Sequence, residues 1–187
     1  GASLMLHPSA CFHFTWSQTV VLYGNNLDKD PIKADMPRHK FDYIIRANML
    51  NGFGVSYRLP ELPDWAVARL GELIAFFKSD MRRFVGEADM HRLTGQTLRE
   101  GRGEGWNAYL YVMEGAAEAM LCVFRLAGGE GERTFRLKGL DPAASYEIRF
   151  VDSGRTLVMS GRELMEEGLA VCGMEEESSD VLMLRKL

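Results

Sequence analysis

The chain has 187 residues, 47% of them hydrophobic and 26% charged, with a formal net charge of −4. That is the composition of an ordinary globular protein, long enough for one good core or two small ones. It excludes an electrostatic case for nucleic acid or an anionic membrane, since no Lys/Arg cluster exceeds Arg82-Arg83 or Arg185-Lys186, and no apolar run approaches the roughly 18 residues that span a bilayer.

Gly1-Ala2-Ser3 reads as a cloning remnant rather than a signal peptide, with the native start expected upstream. Residues 4 to 23 are aromatic and apolar; the alternation from Cys11 to Trp16 fits a strand, and a barrel loop would also tolerate it. Asn25 to Pro37 is rich in turn formers and reads as a loop. His39 to Met49 fits a helix or a strand. Pro60 to Gly86 gives the clearest helix: Pro63 suits the first turn, Asp64 the positive end of the dipole, and Ala66, Leu70, Leu73, Ile74, Phe77, Met81 and Phe84 recur every three or four residues. Lys78, Arg82 and Arg83 gather near its C-terminal end, and Gly86 is a natural stop.

From Glu87 the period changes to two. Trp106–Val112, Ala119–Phe124, Phe135 with Leu137, Tyr146 with Ile148 and Phe150, Leu157–Met159 and Val181–Leu184 read as strands of an antiparallel β-sandwich. Phe135 and Tyr146 belong to strands expected to pair as a hairpin through G-L-D-P-A-A, and Asp152-Ser153-Gly154 is a second turn. Ser160 opens a short helix as a capping box with Glu163, and Gly168 closes it. Gly101–Gly105 lacks the Lys-Ser/Thr and following helix of a phosphate loop and reads as a hairpin loop, while Glu175-Glu176-Glu177 is a solvated turn.

The order R-L-K-G-L-D-P, Y-E-I, S-G-R-E-L-M-E-E-G-L between residues 136 and 169 resembles the C-terminal β-domain of glycoside hydrolase family 36, the α-galactosidases. Upstream, Asn51–Leu59 looks like that family's last barrel strand, Ile74-Ala75-Phe76-Phe77-Lys78 like the helix after it, and His91-Arg92-Leu93 stands where the family has Y-R-L. The resemblance implies an α+β, mainly β fold: the last strand and helix of a (β/α)8 barrel over residues 1–90, then an antiparallel β-sandwich over 91–187. It implies the C-terminal part of an enzyme that hydrolyses α-galactosides with retention, with no metal and no cofactor.

The chemistry itself falls elsewhere. A retaining glycosidase needs two carboxylates about 5 Å apart, and neither of the family's aspartate phrases is present at its expected distance. Lys40-Phe41-Asp42 begins like the nucleophile phrase, yet Tyr43-Ile44 follows instead of an Asn, and Asp42 lies too close to Gly52 for the intervening barrel units; it reads as an exposed carboxylate. No catalytic residue is therefore expected within the chain. His7, His13, His39 and His91 show no metal-ligand spacing. His13 and Trp16 are the candidate carbohydrate-binding residues, an aromatic platform beside hydrogen-bonding groups, with a Trp completing a core as the alternative. The upstream phrase around His13 departs from the family pattern, which leaves the parent's substrate open.

Two other classes compete with the accessory reading. A carbohydrate-binding module would expose a row of aromatics, with Trp106, Tyr109 and Tyr111 as candidates; an interaction domain would form a stable oligomer without affinity for sugar. The expected partners are an α-galactoside, met through the parent enzyme, and a second copy of the chain through the sandwich, with no nucleic acid and no membrane. Cys11, Cys122 and Cys172 are odd in number, far apart and set among apolar residues, so they are expected to be reduced, buried thiols in a cytoplasmic protein.

Overall fold

A computed structural model of the chain describes residues 12–16, 32, 35–56, 59–95 and 105–187, with the backbone alone given for 12–16 and 61. The chain forms two compact units, Gly1–Arg82 and Arg83–Leu187.

In the first unit β1 (Phe12–Trp16), α1 (Arg38–Asn48) and β2 (Gly52–Ser56) follow one another. The two strands pair in parallel, Phe12 opposite Gly52 and Trp16 opposite Ser56. Parallel neighbours need a crossover, and α1 lies within it, so the stretch His39–Met49 is helical. α1 buries Phe41 and Ile45, and Met49 continues the same spacing just past its end. After β2 comes α2 (Asp64–Phe76), preceded by Pro63 at φ −59°, the value a proline ring imposes. Ala66, Leu70, Leu73, Phe77 and Met81 are buried, as their spacing predicts. The helical spacing does not foretell the π turn at Phe77–Met81, where the Ser79 hydroxyl donates to the Ala75 carbonyl at 3.0 Å. Phe77 meets Phe53 of β2 edge to face, with ring centres 5.6 Å apart.

α3 (Arg82–Glu87) leads into the second unit, which is mainly β. Its strands are β3 (Asp89–Arg92), β4 (Trp106–Val112), β5 (Glu118–Arg125), β6 (Glu132–Phe135), β7 (Ser145–Phe150), β8 (Thr156–Ser160), β9 (Leu169–Cys172) and β10 (Ser178–Lys186), with α4 (Gly161–Glu166) after β8. An antiparallel sheet in the order β3-β4-β5-β10-β7-β8 forms one layer, and β6 pairs antiparallel with β9. Ala108 and Leu110 of β4, Leu121 and Val123 of β5, Tyr146 and Ile148 of β7, and Leu182 and Leu184 of β10 point to one side. They share a core with Phe135, Leu137, Leu164, Leu169 and Val171. Period-two patterning makes this possible: one face of each strand is free to be apolar throughout.

Two expectations need correcting. The strands of Phe135 and Tyr146 do not form a hairpin: β6 pairs with β9, β7 pairs with β8 and β10, and Gly139–Ala144 carries the chain between layers. The turn itself forms, the Ala143 amide donating to the Asp141 carboxylate at 2.9 Å, but a tight turn does not dictate that its flanks pair. Second, Cys172 is exposed, because β9 alternates and Cys172 falls on the outer side; Cys122 is buried, both are free thiols, and Cys11 lies outside the described residues. The exposed aromatic row that a carbohydrate-binding module would call for is not formed on β4, since Trp106 and Tyr111 are each 1% exposed. The Trp106 indole N–H donates to the Glu130 carbonyl at 3.0 Å, and burial pushes the Tyr111 phenol well up.

The phrase that carries the resemblance has a mechanical explanation. Ser160 and Glu163 form the predicted capping box, the Glu163 amide donating to the Ser160 hydroxyl at 3.1 Å and the Ser160 amide to the Glu163 carboxylate at 2.8 Å. This holds the start of α4 against the Asp141 turn so closely that a Cβ on Gly161 would lie 2.0 Å from the Asp141 carbonyl oxygen. The Gly161 amide donates to the Ala144 carbonyl at 2.8 Å. The buried Tyr146 hydroxyl accepts from the Asp141 amide at 2.9 Å and donates to the Ala116 carbonyl at 2.8 Å. Leu137 donates from its amide to the Leu164 carbonyl at 2.9 Å, which ties the LKGLDP segment to α4. Gly168, at φ +99°, adopts a conformation that L side chains avoid, and a Cβ there would meet Thr134 at 2.8 Å.

Gly161→Ala should therefore destabilise the second unit by at least the 1–3 kcal/mol or so of an overpacked site, lowering Tm by roughly 4–8 °C per kcal/mol. Gly86→Ala, at an open helical position with nothing within 4 Å, should be neutral or raise stability by up to about 1 kcal/mol. Thermal unfolding of both variants checks the contrast, and equal effects would contradict it. A pH series gives a further test. The Arg83 hydrogen bond holds Glu118 below its ordinary 4.5, the Lys186 ammonium holds Asp141 below 3.8, and the Ser160 amide holds Glu163 below 4.5. Folded values below unfolded ones mean that the unfolded chain takes up protons first. The stabilisation is thus present above about pH 4.5 and lost as pH falls through the folded values. Tm should stay flat from pH 7 to about 5 and drop below that, and Glu118→Gln should remove part of the drop.

Candidate functional site

The two candidate sugar-binding residues both lie on β1, His13 opposite Phe53 and Trp16 opposite Ser56. Their side chains fall outside the described residues. Among the described residues no group of three or more His, Cys, Asp or Glu could hold a metal ion, and no helix is long and apolar enough to cross a membrane.

Asp42 is not the exposed carboxylate expected. It is 6% exposed on α1 and receives both Nε and Nη2 of Arg69 on α2, at 2.8 and 2.5 Å. The cause is helical phase: Asp42 follows Phe41 on the buried side of α1, and Arg69 adjoins Leu70 on α2, so the two polar groups meet where the apolar stripes meet. Two-point pairing with a guanidinium satisfies both carboxylate oxygens, which is how a charge survives burial. The hydrogen bond it donates to Asp42 holds the Arg69 pKa above that of an ordinary arginine.

The third nitrogen of Arg69, Nη1, donates to Glu72 at 2.7 Å, and Arg38 donates to the same Glu72 oxygen at 2.9 Å. Arg69 pulls the Glu72 carboxyl below its ordinary value, chiefly by that hydrogen bond. These residues, with Met36, Trp65 and Ala68, line a cleft of about 360 Å³ in the first unit. Trp65 is half-buried, its ring set edge to face with Phe41 at 5.3 Å. No motif in the sequence marks this cleft. The one available signal was Arg69 and Glu72 three residues apart on a helix with Trp65 one turn earlier, a spacing that is usually a solvated helix face.

In the second unit, His91 lies under the Asp141 turn rather than in an open site: a Cβ on Gly139 would stand 3.2 Å from its Nε2. Tyr109 is half-buried, with the Arg92 guanidinium 5.7 Å from its ring centre.

Comparison with known proteins bears on the architecture. Residues 106–184 match the model of the glycosyl hydrolase family 36 C-terminal domain. The chain is similar to the solved structure of the α-galactosidase AgaB from Geobacillus stearothermophilus, at 28% identity and TM-score 0.59 over 75% of this chain and 18% of that one. AgaA of the same organism, solved in complex with raffinose, gives 27% identity and TM-score 0.60 with the same coverage. Another structure of AgaA, in complex with stachyose, shares the fold over 96% of this chain and 22% of its own at TM-score 0.67 and 24% identity. The chain thus spans about a fifth of the length of the α-galactosidases it matches. A search of curated proteins gives no match. Over residues 106–184 the chain carries the sequence pattern of the glycosyl hydrolase family 36 C-terminal domain, and it resembles the C-terminal region of that family.

Proposed function

We propose that this chain is the C-terminal, accessory part of a family 36-like glycoside hydrolase: residues 1–90 the closing strand and helix of a (β/α)8 barrel, residues 91–187 the antiparallel β-sandwich that follows it. The parent hydrolyses α-galactosides with retention, and the chain itself lacks the two catalytic aspartates. The observation that carries the reading is the match of residues 106–184 to the family's C-terminal domain. Support comes from the order β1, α1, β2, α2 with a parallel strand pair, the alternation from which such barrels are built. The likeness to AgaA over 96% of the chain also speaks for it. In this reading the sandwich braces the barrel and is the candidate surface for contacts between copies. The free thiols of Cys122 and Cys172 fit a reducing, cytoplasmic setting. A carbohydrate-binding module on β4 is the weaker alternative, because Trp106 and Tyr111 are buried.

The test is hydrolysis of a chromogenic α-galactoside. The isolated chain should show no turnover above buffer, while a longer protein that contains it should be active and yield the α-configured sugar by NMR. Turnover by the isolated chain that disappears in Asp42→Asn would contradict the reading.

A further inference from the structure

The cleft between α1 and α2 has a chemistry that the accessory role does not use. One wall is Trp65; the rim is Glu72, 57% exposed at its side chain, and Arg38, 62% exposed. We propose that this cleft binds a neutral hexopyranoside, the sugar's C–H face lying on Trp65 while adjacent hydroxyls donate to Glu72 and accept from Arg38.

Three observations point to that class. The charges of the cleft cancel locally: Arg38 and Arg69 face Glu72 and Asp42, each in direct contact, so neither an anion nor a cation gains from entering. A neutral polyol can exchange hydrogen bonds with both members of an exposed Arg–Glu pair without unpairing a charge. Arg38 gives only Nη2 to Glu72, which leaves further guanidinium N–H groups for a hydroxyl. The Glu72 carboxylate, ionised at neutral pH beside two guanidiniums, has a lone pair to spare for each neighbour. Arg69 is fixed by its two bonds to buried Asp42, so Glu72 is held in place before any ligand arrives. Finally, about 360 Å³ lies at the small end of the roughly 300–1,000 Å³ of small-molecule sites, suited to a mono- or disaccharide unit rather than a long chain.

The test of this proposal does not read glycosidase activity, so either proposal can fail without the other. Raffinose and methyl α-galactoside are titrated into the full chain, with binding followed by saturation-transfer NMR and calorimetry and folding checked by thermal unfolding. Saturable binding that weakens at least fivefold in Trp65→Ala and in Glu72→Gln is the expected result. If Trp65→Ala fails to fold, Arg38→Ala takes its place. No saturable binding of either sugar, equal binding by the folded variants, or displacement of the sugar by inorganic phosphate would each overturn the assignment.

Discussion

The contact on which the second unit depends is a glycine against a carbonyl. Gly161 sits so close to Asp141 that a single methyl group would fall 2.0 Å from the carbonyl oxygen and 3.2 Å from the Tyr146 ring. That approach lets α4 reach the turn before β7, and the turn in turn offers its Asp141 amide to the buried Tyr146 hydroxyl. Because the same hydroxyl donates to Ala116 at the other end of its reach, one side chain links the turn before β7 to the loop before β5. A partly buried amide and a partly buried carbonyl are both satisfied there, each bond contributing about 1 kcal/mol.

Seen this way, the residues of L-K-G-L-D-P, Y-E-I and S-G-R-E-L-M are parts of one joint. The leucines fill the core, the first glycine turns at φ +71°, Tyr146 bonds across, the second glycine makes room, and the Ser-Glu box stops α4 from fraying. Each of these roles is architectural. That explains why a phrase can mark a family while lying outside its chemistry, and why the accessory reading is compatible with so specific a motif. A similar close approach holds the opposite end of the sheet, where Gly105 and Gly129 meet. A Cβ on Gly129 would stand 2.3 Å from the Gly105 oxygen, and Arg125 donates to the Gly129 carbonyl at 2.8 Å.

Much of this was legible in the sequence where the signal is local. The α2 stripe, the capping box at Ser160, the Gly168 stop and the strands at Trp106, Ala119 and Tyr146 depend on neighbours within a few residues, and period and cap chemistry report those directly. The pairing of β6 with β9 was not legible, because alternation tells which face of a strand is buried and nothing about which strand lies beside it. Leu169–Cys172 was too short to stand out after the helix. Asp42 was misjudged as exposed because its environment is set by Arg69, twenty-seven residues away on another helix. The cleft escaped for the same reason: Met36, Arg38 and Trp65 come together only once α1 and α2 pack.

The most direct test of the account is amide hydrogen exchange at Asp141, Leu137 and Gly161, compared with Leu121 and Leu182 in the centre of the sheet. If the joint holds the two layers, these amides exchange as slowly as the central strands, and Tyr146→Phe speeds Asp141 well before it affects Leu121. Fast exchange at Asp141 and Gly161 in the unaltered chain would contradict the account, and the family phrase would then need a role other than architecture.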